Sequence, residues 1–319
     1  MGYTNFPYGI TSFGVPIFGS SQGHDISGVQ YFCDANIGSA GDGSSWDEAF
    51  STLTSAMAAS QAQITLSANR AWAKRNTIYY VGDWITETLT TAAQQTDIIG
   101  VGADTGSTPR LLTNWTIATA RSSFRIINLL IVPQATDPGI TFPAAMHGWE
   151  LHNVTILKHT SYTNTAQLLS TDSRDFVMTR VRILPDNAGA LSTIGFNIGG
   201  TTNGVGRAYA FRCEIHGIEA FNVVDTSAYY EGAVFEDCLF KATNLCIDEN
   251  SDSIAFKNCR LHTAANSGSG AGSTIVDWNA ALCCGNEATS ADHNGYLCRS
   301  QWSATRTEWS RLIGGYHGS

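Results

Sequence analysis

The sequence predicts an all-β chain wound into a parallel β-helix, and three observations carry that expectation. First, one short pattern recurs six times between residues 122 and 264. The copies read Phe124-x-Ile126-x-Asn128-Leu129-x-Ile131, Trp149-x-Leu151-x-Asn153-Val154-x-Ile156, Phe176-x-Met178-x-Arg180-Val181-x-Ile183, Ala208-x-Ala210-x-Arg212-Cys213-x-Ile215, Ala233-x-Phe235-x-Asp237-Cys238-x-Phe240 and Ile254-x-Phe256-x-Asn258-Cys259-x-Leu261. Corresponding residues stand 25, 27, 32, 25 and 21 positions apart, the spacing of a stacked architecture. Second, the apolar parity slips by one at Asn128, Asn153, Asp237 and Asn258. A strand that ran straight on would carry its second apolar pair to the wrong face, so the chain must bend there. Asn and Asp tolerate the left-handed backbone that a tight corner needs. Third, the chain holds 31 glycines and only 14% charged residues, which suits turn-rich β structure. Two short strands joined at a corner are therefore expected in each coil.

Residues 1–30 read as an arm. Tyr3, Phe6, Tyr8, Phe13 and Phe18 are interleaved with Gly and Pro, which forbids a long helix. Apart from His24, the first charged side chain is Asp25. Disordered tails are poor in aromatics and rich in charge, so this arm needs a surface to lie on. That surface is either a partner or the chain's own domain. The arm has no basic stretch and no unbroken apolar run, so it does not read as a secretory signal.

Residues 31–75 open the coil. A strand over Tyr31–Cys33 leads to a Gly/Ser/Asp loop and a helix with Ser45 as N-cap and Glu48 closing the capping box. Phe50, Leu53, Ala56 and Met57 mark its buried face, which is expected to cover the open end of the coil. Residues 76–265 form the coil itself, with irregular early strands at Thr77–Val81 and Asp97–Val101. Gly195, Gly199, Gly200, Gly204 and Gly206 predict a protruding loop between the third and fourth copies. Residues 266–319 are read as a Gly/Ser link and a segment that leaves the repeat, either capping it or contacting a neighbour through Trp278, Trp302 and Trp309.

Eight cysteines are present, and Cys213, Cys238 and Cys259 fall in one interior column as small buried hydrophobes. Free thiols predict synthesis in a reducing cytoplasm. Cys283, Cys284, His293 and Cys298 have poor zinc spacing, and Asp34, Asp42 and Asp47 lack the order of a calcium loop. No cofactor is expected. The net charge of −9 argues against nucleic acid, and no apolar run reaches membrane-spanning length. Glu214 and His216 are the nearest approach to an acid/base pair, and a surface ion contact explains them as well. Outward positions after the first three corners include Leu130, Val132, Leu157 and Leu184, a stripe of the kind a subunit interface presents.

The stretch Tyr31-Phe32-Cys33-Asp34 with Gly41-Asp42-Gly43-Ser44-Ser45-Trp46-Asp47-Glu48-Ala49-Phe50-Ser51-Thr52-Leu53 resembles the opening of pectate-lyase-like, single-stranded right-handed parallel β-helices. The start Met1-Gly2-Tyr3-Thr4-Asn5-Phe6-Pro7 with Gly9-Ile10-Thr11-Ser12-Phe13-Gly14 resembles the N-terminal arm of tailed-bacteriophage virion proteins. Together they resemble head decoration (cement) proteins built on a β-helix. That resemblance implies a homotrimer without enzymatic activity, bound to the major capsid protein on the outer surface of the head. The fold alone also hosts tailspikes that bind or cleave polysaccharide, which is the competing expectation.

Overall fold

The structure is a computed structural model. It describes residues 11–12, 15–16, 28–66, 74–83, 85–102, 109–119, 121–135, 138–143, 146–161, 165–171, 175–186, 188–199, 208–223, 233–249, 254–257, 259–263, 266–268 and 278–279. Side chains are described for most of these through residue 260, not for the arm strands, 223, 233, 244–249 or 254–257.

The chain is a parallel β-helix with three strands in each full coil. The first face is a ten-stranded parallel sheet running from Gln30–Asp34 through Asn76–Val81, Thr96–Gly100, Arg125–Ile127, Glu150–His152, Phe176–Thr179, Ala208–Phe211, Ala233–Glu236 and Ile254–Lys257 to Trp278–Asn279. These strands number the rungs. The second face holds Arg110–Leu112, Leu130–Val132, Thr155–Leu157 and Arg182–Leu184, all paired in parallel. A third face, absent from the two-strand expectation, holds Trp115–Thr116, Ile140–Phe142, Ala166–Thr171 and Ile194–Gly199. The long strands Glu214–Val223 and Leu239–Glu249 run through both of these faces, the former with a register shift between Gly217 and Glu219. Gly195 and Gly199 therefore lie in a strand and not in a protruding loop.

The corner between first and second faces is left-handed at every described copy, with φ of 57° at Asn128, 53° at Asn153, 55° at Arg180, 53° at Arg212 and 55° at Asp237. Stacking explains it. The corner N–H reaches the rung after, as in Asn128 to His152 O and Arg180 to Phe211 O, at 2.9 Å each. The N–H two residues on reaches the rung before, as in Arg182 to Val154 O. A second left-handed series at Gln95, Ser123, Gly148 and Asp175 precedes the first-face strands.

The interior has a fixed cross-section, and volume is traded between faces. Trp149 stacks on Phe142 and Phe176, with ring centroids 4.1 and 4.5 Å apart. Where that column narrows to Ala208 and Ala210, Phe196, Phe221, Phe235 and Phe240 fill the space. Cys213, Cys238 and Cys259 are buried free thiols just past the corner, as the pattern predicts. Each donates to a carbonyl of the coil, for example Cys259 Sγ to Phe235 O at 3.4 Å, and Cys238 Sγ also accepts the Cys213 N–H. Hydrogen bonding to Cys238 and burial push the Cys213 thiol well above its ordinary range.

The helix spans Leu53–Leu66, later than the Ser45 capping box predicts. Ser45 Oγ does accept the Glu48 N–H, but it closes a turn. The helix starts where Thr52 Oγ1 accepts the Ser55 N–H and where Glu87 accepts those of Leu53 and Thr54, a carboxylate at the positive end of the helix dipole. Leu53, Ala56, Met57, Ser60 and Ile64 form its buried face. Phe50 lies outside the helix and bridges to Cys33. This bridge, with Phe32 N–H bonded to Gly43 O and Asp34 N–H to Phe50 O, closes the free edge of the first strand against pairing with other chains.

At the other end the coil continues past residue 265. Asn266–Gly268 pairs with Leu239–Glu249, and Trp278–Asn279 pairs with Ile254–Lys257, so residue 278 has not left the repeat. Of the arm, Thr11–Ser12 pairs antiparallel with Val15–Pro16, a reversal within a stretch expected to be extended.

Candidate functional site

The outer surface of the coil sorts its charges into ladders along the stacking direction. On the first face Asp97, Arg125 and Glu150 are cross-rung neighbours. Arg75 Nε donates to both oxygens of Asp97 at 2.9 and 3.0 Å. Arg125 Nε lies 2.9 Å from Glu150 Oε2, and His152 Nε2 lies 2.8 Å from the same oxygen. Burial works to raise the Glu150 carboxyl, but the hydrogen bond with His152 and the Arg125 guanidinium outweigh it and hold the group below its ordinary value.

The same arrangement recurs on the second face, two rungs on. Arg182 and Glu214 are cross-rung neighbours, with Arg182 Nε 3.1 Å from Glu214 Oε2 and His216 Nε2 2.9 Å from Oε1. The His216 hydrogen bond, against an opposing burial effect and aided by Arg182, lowers the Glu214 pKa to about 2. The expected Glu214–His216 pair is therefore real, and its carboxylate is a fixed anion. A proton donor for glycosidic cleavage needs the opposite shift. The matching Glu150–His152 pair was not singled out from sequence. The signal was present in the parallel strings Glu150-Leu151-His152 and Glu214-Ile215-His216, each with an arginine one coil earlier.

Other acids have local duties. Asp34 and Asp42 accept the backbone N–H groups of Asn36 and Ser44, two residues on, as loop acids do. Asp186 accepts the N–H groups of Ala188 and Ala190 and stands 3.5 Å from Lys158 Nζ, both side chains buried. Among the described residues no group of three or more His, Cys, Asp or Glu is placed to hold a metal ion. Cys283, Cys284, His293 and Cys298 lie outside the described residues.

The apolar stripe of the second face is resolved into two columns. Leu130 is in register with Arg110, Thr155 and Arg182. Leu157 is in register with Leu184 and continues the column of Leu112 and Val132. Leu130, Leu157 and Leu184 are partly exposed, whereas Val132 is only 3% exposed and has almost no area to offer a partner. The anchors expected in the arm, Tyr3, Phe6, Tyr8, Phe13 and Phe18, lie outside the described residues.

No protein-family model matches the chain, and no curated protein or solved structure matches it. No described helix is long and apolar enough to cross a membrane.

Proposed function

We propose that this chain is a structural virion protein: a decoration protein that binds the major capsid protein on the outer surface of a phage head and reinforces it. The observation that carries the reading is the first 23 residues, uncharged in every side chain and rich in aromatics, joined to a stiff coil. A rigid body with a sticky apolar arm is suited to clamping a partner. The outer carboxylates support a structural role, because Asp97, Glu150 and Glu214 are each engaged by an arginine.

Tyr3, Phe6, Tyr8, Phe13 and Phe18 are the proposed anchors, each contributing about 1–3 kcal/mol if it enters a fitted pocket. The chain acts as a homotrimer packed through Leu130, Leu157 and Leu184, and the number three follows from the resemblance to decoration proteins. Three arms engaging together multiply modest single affinities. Deleting residues 2–19 tests the reading. Loss of binding to undecorated heads, with the coil still folded and its thermal transition lowered by no more than about a few degrees, is the expected result. Unchanged binding with a lowered transition assigns the arm to its own domain instead, and turnover of a surface glycan favours a tailspike role.

A further inference from the structure

One outer column of the first face is apolar over its first four rungs. Phe32, Tyr79, Ile99 and Ile127 are cross-rung neighbours in register. Further along, the same column carries His152, Thr179, Phe211 and Glu236. Phe32 stacks on Tyr79 with centroids 5.7 Å apart, and Trp46 meets Phe32 edge-on at 4.9 Å. Trp46 is 40% exposed, and the column residues are half-buried. An outward apolar stripe confined to one end of a coil calls for a cover.

The chain itself enters at this stripe. Gly28 sits so close to Arg75 that a Cβ there would lie 1.6 Å from its carbonyl oxygen. Val29 N–H then donates to Asn76 Oδ1 at 2.9 Å, pinning the root of the arm beside the second rung. Phe32 follows four residues after Gly28. Ahead of that root the chain has no Lys or Arg at all. The stripe spans three rung steps, about 14 Å at the usual strand spacing. Residues 20–27 alone reach up to roughly 26 Å when extended, so the aromatics before them reach every rung of the stripe. The flanking ladder of Arg75, Asp97, Arg125 and Glu150 is internally neutralised and sets no charge barrier.

We propose that this stripe is the seat of the chain's own N-terminal arm, residues 1–19, in the free protein. The inference deepens the anchor reading and rests on it for its second half: a partner must draw the arm off the seat, which lowers the arm's apparent affinity by the fraction of time it is seated.

The test uses the full-length protein with Ile99→Asn and Ile127→Asn combined, and separately with Trp46→Ala, whose backbone lies in a loop and whose ring meets the stripe at Phe32. Thermolysin cleavage within the arm reports the unseated fraction when reseating outpaces cleavage. The expected result is cleavage about tenfold faster in the double variant, for about 1.4 kcal/mol of lost apolar contact, and a smaller acceleration in Trp46→Ala, with the coil's thermal transition retained. An arm cleaved at the wild-type rate in both variants overturns the seat. Protection that disappears on dilution overturns it as well, because the arm would then lie on another copy. Binding to undecorated heads separates the two readings: faster cleavage with tighter head binding supports both. Faster cleavage with unchanged head binding keeps the seat and removes the anchor.

Discussion

The corner at Asn128 and Asn153 and the corner at Arg180 and Arg212 have the same backbone and different chemistry. Their φ values are 57° and 53° in the first pair and 55° and 53° in the second. In the first pair the side chains continue the stacking. Asn128 Nδ2 donates to Gly100 O at 2.7 Å and Gly102 O at 2.9 Å, and Asn153 Nδ2 donates to Asn128 Oδ1 at 3.0 Å. In the second pair the side chains are exposed and form no amide ladder, and Arg212 lies over the Phe211 ring at 4.8 Å with Asp237, one rung on, at 3.8 Å. The left-handed turn is thus imposed by hydrogen bonds to the rungs on either side. The residue at the corner only sets how much strain is left, about 1–2 kcal/mol for an ordinary side chain.

That reading is broken most severely from inside. Cys238 follows the Asp237 corner and is 1% exposed. If stacking dictates the corner, the next side chain points inward whatever the corner residue is. Cys238→Lys then places an unpaired charge in the core and should cost more than about 4 kcal/mol, enough to abolish soluble expression. A soluble Cys238→Lys protein with the wild-type thermal transition would place this position outside the core. Next in size is Asn128→Ala. It removes two amide hydrogen bonds, leaves Asn153 Nδ2 without its acceptor and puts a Cβ without amide chemistry at φ 57°. The expected loss is about 2–3 kcal/mol by denaturant unfolding. Arg180→Ala should be near neutral in the same assay.

The corner and the interior columns were legible because both are written locally, as parity within eight residues. Arg180 and Arg212 break the Asn/Asp rule, yet Val181, Cys213 and the apolar residues around them kept the register readable. The third face was hidden because its strands follow stretches of unequal length: Val132 to Ile140, Leu157 to Ala166 and Leu184 to Ile194. That passage is polar, but no Asn or Asp recurs in it at one fixed distance from the preceding strand. A slower repeat was nevertheless there, in Ile140-x-Phe142, Leu168-x-Ser170 and Phe196-x-Ile198. The helix start was misplaced because its cap, Glu87, comes from 34 residues further on. Of the charged ladders, the pair with both partners on one strand after the corner was found. Glu150 and His152 stand before the Asn153 corner, outside the outward positions that follow each corner. Val132 is outward by parity, and parity does not report what packs over a face.

The two Arg–Glu–His ladders extend the comparison to pH. The folded Glu214 pKa of about 2 lies below the ordinary 4.5. The unfolded chain therefore binds the proton more readily on acidification. The Glu214 contribution is fully present above about pH 4.5 and is lost as pH falls toward 2. Glu214→Gln should cost under about 1 kcal/mol at neutral pH, as part-exposed ion pairs do. It should also flatten the acid limb of the stability curve between those two values. An acid limb identical in the two proteins would mean that the Arg182 and His216 contacts do not persist in solution.

The smallest effect is the most direct test of the corner. Arg180 is exposed, and its φ is 55°. Its backbone N–H already bonds Phe211 O, so substitution leaves that bond in place. Asparagine tolerates the left-handed region better than arginine does. Its amide at position 180 also stands one rung from Asn153, as Asn153 stands from Asn128, so the side-chain ladder gains a step. Arg180→Asn should therefore stabilise the coil by about 0.5–1 kcal/mol, read as a higher denaturant midpoint at unchanged slope. Asn153→Arg should move the midpoint the other way by a similar amount. If both substitutions lower the midpoint equally, the side chains at the two corners do more than tolerate the turn. Stacking alone would then not account for its geometry.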